Sequence, residues 1–156
     1  MADWKRFCCA VDFSDPSHAA MREAAELAQR FGGELELLHV HPLAPPAVDL
    51  GVIQPPDVLE TVLRELQGTL ARWQEEAARI VGRPVNGTVV PGIPGDDILR
   101  FSRDRGVDVL VVGSHGRKGL ARLLLGSVAE RVVREAPCAV VVSRHPERAR
   151  SAPNRR

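Results

Sequence analysis

An open α/β sheet of mostly parallel strands is the fold class this sequence predicts, on three observations. Short apolar runs alternate with stretches of helical periodicity along the 156 residues, the order that builds βαβ units. Two of the runs, 107–112 and 138–142, are almost continuously hydrophobic, as strands buried on both faces must be. Composition is that of one globular domain: with 44% hydrophobic and 26% charged residues, a chain of this size buries a core that needs no staples.

Residues 7–11 form a short apolar run ended by Asp12-Phe13-Ser14-Asp15-Pro16. Ser14 or Asp15 can cap a helix that holds Pro16 in its first turn. Ala20, Ala24, Leu27 and Phe31 recur at helical spacing until Gly32-Gly33 stops it. Residues 34–40 alternate, with Leu35, Leu37 and then His39 on one face, and read as a second strand. Five prolines fall from Pro42 to Pro56, a long loop of the kind that often carries function. Leu59, Leu63, Leu66, Leu70, Trp73, Ala77 and Ile80 then step by threes and fours. This is a helix laid on a sheet rather than a coiled coil, because the stretch is short and Gly68 interrupts it.

A third strand falls within 85–90, before Pro91-Gly92-Ile93-Pro94-Gly95. Asp96 or Asp97 opens a short helix, with Ile98, Leu99 and Phe101 apolar, that ends at Gly106. After the strand 107–112 and the segment 113–126, Ser127-Val128-Ala129-Glu130 has the form of a capping box. Pro137 ends the helix so opened, and the last strand runs over 138–142, beginning with Cys138 and closing on Val142.

Lys and Arg number 21 against 20 Asp and Glu, a net charge of +1, so no whole-surface field draws the chain to nucleic acid or a membrane. The charge is uneven: residues 144–156 hold five Arg and one Glu, net +4, leaving −3 on the first 143. The expected organisation is one domain over 1–143 and a basic tail over 144–156, solvated rather than a nucleic-acid arm. No apolar run approaches the roughly 18 residues that span a bilayer. The start, Met-Ala-Asp-Trp-Lys-Arg, leads to a five-residue apolar stretch without a signal-peptide pattern, so the expected compartment is the cytoplasm. Three cysteines fit it. Cys8 and Cys9 are strand neighbours facing opposite ways, and an odd count without metal-ligand spacing argues against disulfides or zinc. They read as small buried hydrophobes.

Function is most legible between Gly113 and Val128: Gly113-Ser114-His115-Gly116-Arg117-Lys118-Gly119, then 120–125, then Gly126-Ser127-Val128. Ligands of open α/β sheets gather beyond the carboxyl ends of the strands. Gly113 and Gly116 follow a buried strand, where backbone can approach a ligand with no Cβ in the way, and N–H groups exposed in such a turn bind anions. Gly126 and Ser127 stand at a helix N-terminus, which favours phosphate through free N–H groups and the helix dipole. Arg117 and Lys118 add positive charge between the two. Two anion-binding backbone features on one loop point to a polyphosphate. Each residue also has an ordinary use: the glycines as turns, Ser127 with Glu130 as a capping box, His115 as an exposed turn residue, Arg117 and Lys118 as a solvated pair, Asp12 as a turn or cap. The joint spacing of Gly113, Gly116, Gly126 and Ser127 favours the ligand, while Asp12 stays open between the two uses.

That spacing, G-x-x-G, nine residues, then G-S, resembles the ATP-binding universal stress protein family. The start, Ala10-Val11-Asp12-Phe13-Ser14, and the close, Pro137-Cys138-Ala139-Val140-Val141-Val142, are similar to the family's own, so the resemblance covers nearly the whole chain. It implies a single five-stranded parallel sheet of order 3-2-1-4-5 with helices on both faces, the adenine nucleotide alpha-hydrolase-like fold, and a switch-point crevice beside Asp12 and Gly113. It implies ATP as cofactor, with or without Mg²⁺. By position it puts Asp12 on the ribose or adenine edge and the Val40 backbone on the adenine. Gly113, His115, Gly116, Arg117, Gly126, Ser127 and Val128 would surround ribose and phosphates. It also implies a homodimer through the last strand, paired with its twin across a two-fold axis.

Other nucleotide signatures are missing: no G-x-x-x-x-G-K-[ST], no Gly-x-Gly-x-x-Gly after the first strand, and no Ser-Gly-Gly-x-Asp-Ser loop of ATP pyrophosphatases. The expected function is an ATP-binding regulatory module of the stress response. Its rivals are a slow ATPase or self-phosphorylating enzyme, and a dimeric interaction protein without nucleotide dependence. Hydrolysis needs charge neutralisation and a positioned water. His115, Arg117 and Lys118 could supply charge, but neither a carboxylate pair for Mg²⁺ nor a committed general base is in view, and no residue is assigned as catalytic.

Overall fold

A computed structural model describes residues 3–43, 56–115 and 125–144. The elements are β1 (Arg6–Ala10), α1 (Asp15–Phe31), β2 (Glu34–Pro42), α2 (Pro56–Val81), β3 (Asn86–Gly92), α3 (Pro94–Asp104), β4 (Val109–Gly113), α4 (Ser127–Glu135) and β5 (Ala139–Ser143). The strands form one sheet of order β3-β2-β1-β4-β5, every pairing parallel. This is the order the resemblance implies. The long proline-rich loop falls largely on 44–55, and the basic tail on 145–156; both lie outside the described residues.

Alternation along each strand feeds two cores. Phe7, Cys9, Leu35, Leu37, Val109 and Val111 pack on the face covered by α1 and α2. Cys8, Leu38, Val40, Leu110 and Val112 pack on the other, with α3 and α4. Cys8 and Cys9 are thus on opposite faces and fully buried, and burial pushes both thiols well above the ordinary cysteine range. All three cysteines are free thiols. The interior strand β4 is buried from Val109 to Val112 as its apolar run predicts. Strand β5, expected from the same pattern to be buried on both faces, is half-buried from Ala139 to Val142 because it lies at the sheet edge with no strand beyond it.

Local signals set the helix ends. Ser14 caps α1 by accepting the Ser17 N–H, and Gly32, at φ 63°, ends it while the Gly33 N–H returns 2.8 Å to the Ala28 carbonyl. Two ends differ from expectation. Helix α3 begins at Pro94, with Ile93 as a cap that offers no side-chain bond. Asp97 supplies it from inside the first turn, its Oδ2 accepting the Ile93 N–H at 2.7 Å. Helix α4 begins at Ser127 with Gly126 as the cap, and no side-chain cap bond forms. The capping box Ser127–Glu130 is therefore not made, because Ser127 already has a helical backbone and its hydroxyl lies one residue too late to serve as cap.

Two carboxylates tie elements together. Asp108 accepts the Lys5 and Arg6 backbone N–H groups at 2.9 and 2.8 Å, and these bonds hold its carboxyl below the usual range. Glu76 of α2 meets His18 at 2.8 Å and Arg22 at 2.7 Å on α1, and is lowered chiefly by the His18 bond. Among the described residues, no helix is long and apolar enough to cross a membrane.

Candidate functional site at the sheet switch point

Strand order reverses between β1 and β4, since β1 continues to α1 and β2 on one side while β4 continues to β5 on the other. Chains leaving the carboxyl ends of such strands diverge and leave a crevice. A cleft of about 760 Å³ occupies that place. Its floor includes Asp12 after β1, Val40 in β2 and Gly113 ending β4, and the start of α4 forms one wall.

The turn after β1 is tightly bonded. The Ser14 N–H donates to Asp12 Oδ1 at 3.0 Å and the Ser14 hydroxyl donates to the same oxygen. The Asp12 N–H in turn donates to Ser17 Oγ at 3.2 Å. Between them Phe13 has φ 62°, a left-handed conformation that costs a bulky residue about 1–2 kcal/mol. Its ring is held 4.5 Å from that of His39 and 5.3 Å from that of Trp73. His39 is buried, with Nδ1 2.8 Å from the Val11 carbonyl oxygen.

On the other side, the Gly126 N–H donates to the Ser114 carbonyl at 2.9 Å, so the two ends of the glycine-bearing loop are clasped. A Cβ on Gly113 would lie 3.2 Å from the backbone C and O of Pro16. Close approach of β4 to the start of α1 thus uses this glycine directly. The first intrahelical bond of α4 is Glu130 N–H to Gly126 O, which leaves the N–H groups of residues 127–129 without intrahelical acceptors, beside the positive end of the helix dipole.

Comparison with known proteins decides the family. The family model described as "Universal stress protein family" matches residues 3–144. The chain belongs to the universal stress protein family. Universal stress protein MJ0531 of Methanocaldococcus jannaschii is 30% identical over 145 residues, 93% of this chain and 85% of the relative. The solved structure of universal stress protein UspA from Lactobacillus plantarum superposes with a TM-score of 0.78 at 27% identity, covering 92% of this chain and all of that one. Two structures share the fold at lower identity. One is a universal stress protein in complex with cAMP, at 23% identity and TM-score 0.65 over 92% of this chain and 98% of its own. The other is from Archaeoglobus fulgidus in complex with dAMP, at 22% identity and TM-score 0.59 over 91% of this chain and 99% of its own.

In this universal stress protein, Asp12, Val40, Gly113, His115, Gly126, Ser127 and Val128 all line the one cleft. Gly116 and Arg117, with Lys118, lie outside the described residues. Nδ1 of His115 is 3.1 Å from Ser114 Oγ, while Nε2 is buried and meets no hydrogen-bond partner among the described residues. Asp12 is the one carboxylate among the described lining residues. Sequence reasoning missed His39 and His41, and also Val62 and Leu66 of α2 with Pro94 and Ile98 of α3, which line the cleft as well. The apolar stripe of α2 was visible, but nothing in its period separates residues that meet the core from residues that meet a cleft. Among the described residues, no group of three His, Cys, Asp or Glu is arranged to hold a metal ion.

Proposed function

We propose that this universal stress protein binds ATP in the switch-point cleft and acts as a nucleotide-dependent regulatory module of the cytoplasmic stress response. One observation carries the reading: around one cleft of about 760 Å³ stand a carboxylate, a helix N-terminus and a buried imidazole nitrogen that has no hydrogen-bond partner among the described residues. Buried polar atoms ordinarily have partners, so Nε2 of His115 marks a place for a ligand oxygen. The α4 N-terminus suits phosphate, and Asp12 suits hydroxyl or amino donors of a nucleoside. Complexes of two proteins of this fold with cAMP and dAMP support an adenine nucleotide as the class. Bound ATP would bring Mg²⁺ on its phosphates, neutralising charge there. The basic residues of 144–156 form a tail outside the nucleotide-binding unit in this reading.

Denaturing the purified protein and weighing any released small molecule tests it. ATP or a related adenine nucleotide is expected, with turnover far below the ~10 s⁻¹ typical of enzymes. No adenine nucleotide released, and none bound on titration, overturns the reading. Turnover near 10 s⁻¹ makes the protein an enzyme instead.

We also propose a homodimer through the last strand. Residues 139–142 of β5 are apolar and half-buried at a sheet edge, and pairing with a twin would satisfy an edge that otherwise invites aggregation. Light scattering at micromolar concentration is expected to give twice the chain mass; a monomeric mass would sink the idea.

A further inference from the structure

We infer that Ser14, backed by Phe13, is a positioning residue that sets the Asp12 carboxylate to read the hydroxyl groups of a ribose; the inference rests on the nucleotide reading above. Asp12 lines the cleft together with the start of α4. An ionised carboxylate only accepts hydrogen bonds, so it repels phosphate and must face the part of a nucleotide that donates. Sugar hydroxyls donate, and a hydrogen bond to them holds only near 2.5–3.0 Å. Such a tolerance requires a carboxylate that does not swing. Here two donors of Ser14, its N–H and its hydroxyl, converge on the single oxygen Oδ1. Ser17 closes the ring, taking the Asp12 N–H on its hydroxyl and donating that hydroxyl to the Ser14 carbonyl at 3.1 Å. Phe13, at φ 62°, stands between the two residues these bonds join. Its ring, wedged against His39 and Trp73, keeps the turn in that form. Backbone held in a sparsely populated region at a cleft is a recurrent mark of pre-organisation.

The test separates this role from the capping of α1, which Ser14 also performs. Affinities for ATP, 2′-deoxy-ATP and 3′-deoxy-ATP are measured by calorimetry on wild type, Ser14→Thr, Ser14→Ala and Ser14→Asp, each with its Tm. Wild type is expected to prefer ATP over at least one deoxy analogue by about tenfold, one hydrogen bond to a charged group. Ser14→Thr keeps that ratio, because the hydroxyl remains. Ser14→Asp remains an N-cap yet sets a like charge against Asp12, so the ratio falls below about threefold while Tm stays near wild type. Ser14→Ala loses the ratio as well, with a lower Tm, and stands in should the Asp variant not fold. Since ratios are compared, a general loss of phosphate affinity cancels. A wild-type ratio kept by both variants overturns the inference, as does a wild type that binds ATP and both analogues equally. A wild type that binds no adenine nucleotide overturns the underlying reading itself.

Discussion

Replacing Gly92 by alanine is expected to cost about 3 kcal/mol and to lower Tm by roughly 6–12 °C. A Cβ at that position would lie 1.9 Å from Asp97 Oδ2 and 2.8 Å from its Cγ. Asp97 cannot retreat cheaply. It is 8% exposed, its Oδ2 holds the Ile93 N–H at the start of α3, and its Oδ1 pairs with Arg100. Pushing the carboxylate aside leaves that N–H unbonded at a helix start whose cap, Ile93, makes no side-chain hydrogen bond. Overpacking and the orphaned donor each cost about 1–3 kcal/mol. A double-mutant cycle by chemical denaturation checks the cause. In an Asp97→Ala background the obstruction is gone, so Gly92→Ala should then cost under about 1 kcal/mol. An equal cost in both backgrounds would mean that Asp97 is not what the new Cβ meets.

Ser127→Asp is expected to leave stability near wild type and to weaken ATP binding at least tenfold, about 1.4 kcal/mol. Ser127 is the first residue of α4, is exposed, and lines the cleft without serving as the helix cap. An acid in a first turn is favoured by the helix dipole, so the helix tolerates it. A carboxylate among the N–H groups proposed to receive phosphate would repel the ligand. Because no capping bond is made by this hydroxyl, Ser127→Ala should also stay within about 0.5 kcal/mol of wild type. Thermal melts without ligand, paired with ATP calorimetry, read both quantities. An Asp variant that is stable and binds ATP as tightly as wild type would show that Ser127 does not face the phosphates.

Legibility varied with the kind of signal. Ser14 and Gly32 announced the ends of α1 correctly because a cap and a left-handed stop are local events, decided within a few residues. Ser127 and Glu130 had equally good local form, yet Gly126 became the cap. The Gly126 N–H is bound to Ser114, twelve positions earlier, and that clasp sits at the helix start itself. The glycine-bearing loop was visible as a spacing, and seven of the nine residues it and the family resemblance nominated line the cleft, the other two lying outside the described residues. Its roof was not visible. Val62 and Leu66 have the same period as α2 neighbours that pack in the core, and Ile98 belongs to the core while also lining the cleft.

By itself the sequence determined which segments are strands and helices and which faces leave water. Those follow from periodicity, because burial is non-directional and depends only on how apolar residues are spaced along an element. The apolar pattern marked β4 and β5 alike as buried on both sides, and only β4 is, because β5 lies at the sheet edge. Strand order came from the resemblance, not from any period. Only the tertiary structure decided which distant groups meet: Asp97 against Gly92, Phe13 against Trp73, the Gly126 N–H on the Ser114 carbonyl, and α2 and α3 over the cleft. Hydrogen bonds and close contacts are lost within an ångström, and no pattern along the chain carries distances between elements at that scale.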